Sequence, residues 1–365
     1  MRVLFYLGTK EWSATARVLV TAAGGLAGRG HAITIACCEG TRLERASRDA
    51  GLETILIGGT FFGTGGAWDL RKVLQAKFIE AAVVTSDADH RTVASAMRLA
   101  GRGSVLRRLQ AFEPFDRETA SKLSLKLAPS GLLVSSQAQA GDARPKGWAI
   151  PTTVARLGVD AAAYEGGDTV LRGDIGAPPQ GPLIVCAYDL SGRNRIASVV
   201  RALALLAPRH PGLHAAVFGP GSDDDELQMH ASALGVGRMM SFLGERDDAT
   251  RVMRGADAGW VLSSLDDGAF AFLDFMALGV PVVADRSPLS EEYVVDGTTG
   301  GLLPDDDTAQ VASTIAILLA DADKRASMGA AGRERVQREF SEAAMIDGFE
   351  RAVSVAGDRS TWPKS

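Results

Sequence analysis

Short apolar runs alternate with segments of helical spacing along almost the whole chain. The first run, "RVLFYL", is continuously apolar, as expected of a parallel strand buried on both faces. Next comes "ATARVLVTAAGGLAGRG", whose apolar positions recur at helical spacing and which ends on glycine, and then a second apolar run, "HAITIACC". That is a βαβ unit at the start of the chain. The alternation continues with "TILIGG", a helix near residues 69–80, "AAVVTS", a helix near 91–100, "GSVLRRL", a helix near 117–127, "GLLVSS" and "GWAIPT".

Residues 158–182, "GVDAAAYEGGDTVLRGDIGAPPQGP", are rich in Gly and Pro, have no sustained period and read as a connector. Beyond them the pattern begins again. Strands are predicted at "PLIVCAYD", "LHAAVFGPG", "RMMSFLG", "AGWVLSS" and "VPVVAD", and helices at "RIASVVRALALLA", "DELQMHASALG", "DATRVMRGA" and "GAFAFLDFMALG". Two further helices, over 308–320 and 324–339, precede the amphipathic run "SEAAMIDGFERAVSVA". The fold class that follows is α/β: two tandem Rossmann-like, doubly wound domains facing a central cleft. Their expected extents are residues 1–165 and 166–345, with a C-terminal helix and tail, 346–365, packing back on the first domain. Ligands of such folds meet the carboxyl ends of the strands.

Composition fits this outline. A chain of 365 residues with 46% hydrophobic and 23% charged content suits two globular domains and excludes disordered and fibrous classes. The three cysteines, two of them adjacent (Cys37, Cys38), fall in apolar runs, which points to buried thiols in a reducing compartment. "MRVLFYLG" is too short for the apolar region of a signal peptide, and no run of roughly 18 apolar residues occurs, so a cytoplasmic protein is expected.

The net charge of −5 conceals an asymmetry. Residues 1–165 hold 21 Lys and Arg against 15 Asp and Glu, a balance of +6, and the remainder holds 18 against 29, a balance of −11. Within the first half, residues 91–126 carry eight basic and three acidic side chains, a surplus suited to an anionic acceptor or to the inner face of a membrane, with a solvated helix surface as the plain alternative. Nothing suggests nucleic acid. The chain has no metal-ligand cluster, Walker lysine motif, Gly-x-Ser-x-Gly elbow or dinucleotide glycine fingerprint, so no cofactor and no metal are expected.

Four stretches, taken in order, carry a resemblance: "IPTTVARLGVD", ending at Asp160; "FGPGSDDDELQMHASALGVGRMMSFLGERDD"; "SLDDGAFAFLDFMALGVPVVA"; and "EEYVVDGTTGGLLPDDD". Their order and separations resemble the family 4 retaining, nucleotide-sugar-dependent glycosyltransferases of the GT-B fold. The resemblance implies a hexosyltransferase-like enzyme that moves a sugar from a nucleotide-diphosphate donor to a small-molecule, glycan or lipid-linked acceptor with retention. In that family a Glu-x7-Glu pair contacts the donor sugar and the ribose. Asp266 and Asp274 fall on those positions, each one methylene shorter. The alternative for Asp266 or Asp267 is a helix cap.

The resemblance also implies donor contacts from Gly219 and Gly221 of the glycine turn, from Arg246, from Glu292, and from Gly268, Ala269 and Phe270 at the helix start, where free N–H groups favour a diphosphate. The family's Arg/Lys phosphate clamp is rearranged. Tyr188 stands where the Arg belongs, and Arg193 and Arg195 are the candidate replacements, able to hold phosphate bidentately. On the acceptor side the family's glycine pair is replaced by "TKEWSAT", so Trp12, Ser13 and Thr15 are candidates, although Ser and Thr at a helix start are also ordinary caps. His90 and Asp87 in "TSDADHRT", expected over the cleft, are with Asp266 the catalytic candidates, and Arg107 and Arg108 end a strand that points toward the cleft. His31 belongs to a turn and is structural. Two alternatives stand beside the transferase: a catalytically impaired relative that only binds, and a nucleotide-sugar epimerase on the same fold.

Overall fold

The computed structural model describes residues 1–58, 63–113, 124–143, 150–187, 193–219, 225–262, 264–303 and 308–357. The chain divides into two compact units. One comprises Met1–Leu157 together with Glu342–Ser365, and the other is Gly158–Ser341.

The first unit is built on seven parallel strands: β1 Arg2–Leu7, β2 Ala32–Cys38, β3 Glu53–Ile57, β4 Ala81–Val84, β5 Ser104–Arg108, β6 Ser130–Val134 and β7 Thr152–Val154. Their order across the sheet is β3-β2-β1-β4-β5-β6-β7, so the direction of winding reverses between β1 and β4. The central strands are buried along their length, which is why they read as unbroken apolar runs rather than alternating ones. The helix Asp87–Ala100 starts earlier than its apolar spacing indicated, because Ser86 caps it by accepting from the Asp89 N–H at 3.0 Å. Helix 117–127 of the sequence reading lies largely outside the described residues. A short helix, Arg42–Asp49, had no sustained apolar period to announce it; Thr41 caps it.

The C-terminal helix Glu342–Gly357 completes this unit. Phe349 stacks on Phe5 with ring centroids 6.4 Å apart, and Ser104 Oγ donates to the Ala356 carbonyl at 2.8 Å. The helix packs closely here: a Cβ on Gly348 would stand 2.5 Å from Ala155 Cβ, and one on Gly25 would displace the Ile346 side chain. At the surface, Arg29 holds both Asp347 and Glu350 at 2.6 Å.

The second unit repeats the plan with six parallel strands: β8 Leu183–Ala187, β9 His214–Phe218, β10 Met240–Phe242, β11 Ala258–Val261, β12 Val282–Asp285 and β13 Gly300–Leu303. Their order, β10-β9-β8-β11-β12-β13, places the reversal between β8 and β11. One face is covered by the helices Arg193–Leu206 and Thr308–Ala320, around a core that includes Val200, Leu203, Trp260 and Ile315. On the other face lies the helix Leu265–Ala277, of which every residue from Gly268 on is buried. It sits between β11 and the helix Ala322–Glu339 because two glycines permit close approach: a Cβ on Gly259 would stand 2.6 Å from the Phe275 ring, and one on Gly332 3.2 Å from Met276. The reading of 158–182 as a connector needs correction, since this segment begins the second unit and contains two 3₁₀ turns, Ala161–Tyr164 and Arg172–Ile175.

Candidate functional site

In the second unit the carboxyl end of β11 leads through Ser264 into the helix Leu265–Ala277. Ser264 occupies the N-cap position but makes no side-chain cap bond, and Leu265 turns through a left-handed φ of 54°. A branched residue in that region costs about 1–3 kcal/mol, a cost met here by the surrounding fold at the point where the chain bends into the helix. Asp266 and Asp267 occupy the first turn, where the helix dipole favours negative charge. Asp266 is fully buried and Asp267 half-buried. The cap reading for these two residues is corrected, because the cap position belongs to Ser264. The free N–H reading for Gly268, Ala269 and Phe270 is also corrected: Gly268 already donates to the Ser264 carbonyl at 3.0 Å, and the next two lie deeper in the ladder. The helix start lies one turn earlier than the sequence suggested.

Asp274 follows Asp266 by eight residues, an axial rise of about 12 Å. It is 2% exposed, and its Oδ1 accepts a hydrogen bond from the hydroxyl of Tyr164, itself buried. Tyr164 closes the 3₁₀ turn Ala161–Tyr164, which Asp160 caps by accepting from the Ala162 N–H at 3.0 Å. Its carbonyl accepts from Arg254 Nη1 at 3.0 Å. Sequence reasoning missed Tyr164, which stands in "DAAAYEGG" with no local signal beyond the Asp160 cap.

The other donor candidates fall as follows. Gly219 ends β9 with φ 122° and donates to the Gly244 carbonyl at 2.8 Å, a turn that disfavours any side chain. Arg246 forks onto Asp248 at 2.6 and 2.8 Å, which holds the Asp248 carboxyl below its ordinary value. In this structure the side chain is held in a local ion pair. Glu292 lies half-buried in the helix Pro288–Tyr293, and its carbonyl accepts from Arg335 Nη2 at 3.1 Å. Arg193 and Arg195 open the helix Arg193–Leu206, but their side chains, like Gly221 and Tyr188, lie outside the described residues.

In the first unit, the carboxyl ends of β1, β4 and β5 gather a different group. Asp89, between Asp87 and His90 and without a signal of its own in the sequence, is 4% exposed and accepts from the Gly8 N–H at 3.3 Å. Burial pushes its carboxyl above the ordinary value, against the hydrogen bonds from Ser86 and Gly8. Arg107 is 4% exposed, with Nη2 at 3.3 Å from Glu113 and Nε at 3.6 Å from Asp87. Burial pulls the guanidinium below its usual value while Glu113 and Asp87 support its charge. Arg108 is buried as well. Neither arginine lies on an exposed face, whereas Arg91, Arg98 and Lys126 of the same basic stretch are exposed.

The His90 ring is enclosed. It lies in the first turn of the helix Asp87–Ala100, 1% exposed, with Nε2 3.1 Å from Ser130 Oγ. Burial and the nearby Arg107 and Arg91 push its pKa down to about 3, so the ring is neutral at physiological pH. Ser13 caps the helix Ala14–Gly28, accepting from the Ala16 N–H at 3.4 Å, and Thr15 is buried behind it. The Arg42 guanidinium lies 5.0 Å from the Trp12 ring centroid, a cation–π contact on the face expected to meet a sugar.

Two Rossmann-like domains in tandem, each with its winding reversed beside the central strand, place the chain in the GT-B fold class. Within it, residues 168–335 match the family model described as glycosyl transferases group 1, and the chain resembles the family 4 glycosyltransferases. A lipopolysaccharide core biosynthesis glycosyltransferase, LpsE, of Rhizobium meliloti is 26% identical over 49% of this chain and 51% of its own length. A GDP-mannose-dependent alpha-(1-6)-phosphatidylinositol monomannoside mannosyltransferase of Mycolicibacterium smegmatis is 34% identical over 42% of each chain. The chain spans about half the length of the curated relatives it matches. Among solved structures, a glycosyltransferase from Rickettsia africae aligns over 98% of this chain and 99% of its own with a TM-score of 0.83 at 14% identity. Anabaena HepE in complex with UDP and glucose aligns over 97% and 99% with a TM-score of 0.82 at 18% identity. Among the described residues, no helix is long and apolar enough to cross a membrane.

Proposed function

We propose that this chain is a glycosyltransferase that moves a sugar from a nucleotide-diphosphate donor to an acceptor with retention, acting in the cytoplasm or at the inner face of a membrane. The observation that carries the reading is the helix Leu265–Ala277: it begins without a side-chain cap at the carboxyl end of β11, and it holds one buried carboxylate in its first turn and a second about 12 Å further along. Asp266 at the helix start meets the donor sugar, and Asp274 meets the ribose. The diphosphate between them lies toward the N–H groups and positive end of the dipole. The group 1 family match over residues 168–335 covers this helix and supports the assignment. The GDP-mannose-dependent relative and the UDP complex of HepE support a nucleotide-sugar donor. The reading needs no cofactor or metal from the protein, because the chemistry is one of positioning and charge stabilisation.

The test is a panel of UDP- and GDP-sugars incubated with the purified chain, water serving as the acceptor, with release of free nucleoside diphosphate as the readout and time-resolved NMR of the freshly released sugar to assign its anomer before it mutarotates. Release of nucleoside diphosphate from one donor, lost in Asp266→Asn, supports the reading. Binding of donors without turnover would leave a catalytically impaired relative, and interconversion of intact donors would point to epimerisation.

A further inference from the structure

We propose that Tyr164 is a positioning residue of the donor site, whose phenol holds the Asp274 carboxylate in the orientation that meets the donor ribose. The inference rests on the reading of Asp274 as the ribose contact.

Three observations support it. First, the two groups are 110 residues apart in sequence and buried together, with the Tyr164 hydroxyl donating to Asp274 Oδ1. A carboxylate on an apolar helix face is costly unless it is hydrogen-bonded, so this contact selects one rotamer of Asp274. Second, both ends of the bond are fixed to stiff backbone. Arg254 holds the Tyr164 carbonyl, and Asp160 caps the turn that carries the ring. On the other side, the helix bearing Asp274 is seated by the close contacts at Gly259 and Gly332. Third, Asp274 reaches through a single methylene, so its carboxylate cannot compensate for a misplaced rotamer. Displacement on the scale of 1 Å can cost about 10²-fold in rate.

A merely structural tie between the 3₁₀ turn and the helix would predict lost stability and nothing more. The experiment therefore reads a ratio that such a tie does not move. The full chain is titrated by calorimetry with UDP and GDP, and then with the 2′,3′-dideoxy form of whichever binds, as wild type and as Tyr164→Phe. The wild type should prefer the ribose form by about 10- to 100-fold, the range for one hydrogen bond to a charged group. Tyr164→Phe should cut that preference several-fold while leaving affinity for the dideoxy form unchanged, whatever happens to the melting temperature. Tyr164→Met, which fills the space without a hydroxyl, repeats the measurement if the Phe variant does not fold. A preference equal to wild type in either variant overturns the proposal. A wild type that binds nucleoside diphosphate without preferring ribose removes Asp274 from the ribose and this proposal with it. Failure to bind any nucleoside diphosphate overturns the donor reading itself.

Discussion

His90 Nε2 stands 3.1 Å from Ser130 Oγ, and the Ser130 hydroxyl donates onward to the Ala128 carbonyl at 2.9 Å. The serine proton is thus committed, so the imidazole donates from Nε2 and remains neutral. Its pKa is pushed down to about 3 from an ordinary 6.5. The unfolded chain therefore takes up a proton that the native state refuses, and stability that is complete above pH 6.5 falls as the pH drops toward 3. Urea unfolding across this window should show a slope steeper than that of His90→Gln by up to about 1.4 kcal/mol per pH unit.

Arg107 is held between Asp87 and Glu113 and is itself buried. Arg107→Leu leaves Asp87 and Glu113 without their cation, and should destabilise the first unit by about 3 kcal/mol, the lower end for breaking a buried pair, because both acids are partly exposed. Denaturation at high salt should recover part of the loss, since the two carboxylates left behind are partly exposed and screened by salt.

Asp274→Asn keeps the size of the side chain and removes its charge. Calorimetry should show nucleoside diphosphate binding weakened by about 1–3 kcal/mol, with a melting curve close to wild type. Unchanged affinity would exclude Asp274 from the site.

Gly259 matters because the Phe275 ring occupies the space of its missing side chain. Gly259→Ala should push the helix Leu265–Ala277 away from β11, cost about 1–3 kcal/mol in unfolding free energy, and lower turnover through displacement of Asp266 and Asp274. A variant with normal stability and turnover would show that the helix seat is not critical.

Much of the second unit was legible along the chain. "AGWVLSS", "GAFAFLDFMALG" and "VPVVAD" announce strand, helix and strand by their own periodicity, and the observed elements Ala258–Val261, Leu265–Ala277 and Val282–Asp285 fall within or next to them. The glycine turn after "HAAVF" was readable for the same reason, since φ 122° at Gly219 excludes most side chains. The site was legible only in part. The resemblance to a Glu-x7-Glu pair pointed to Asp266 and Asp274 as candidates, but the helix start is not readable from the apolar spacing, because its first turn, Leu265–Asp267, is polar apart from Leu265.

What the sequence determined by itself was therefore the set of local elements, their alternation and the two-domain plan, because periodicity, glycine turns and caps act over a few residues. What only the tertiary structure decided was the state of each polar group. Arg107 and Arg108 belong to a basic stretch in sequence yet are buried, because β5 lies inside the seven-stranded sheet. His90 sits in a polar run yet is enclosed, and Asp89 beside it proves to be the carboxylate that reaches the end of β1. Tyr164 and Asp274 meet across 110 residues, a contact that no window of sequence contains. Burial and hydrogen-bond partnership depend on what the rest of the chain places around a side chain, and those neighbours come from distant strands and helices that meet only once the sheets have formed.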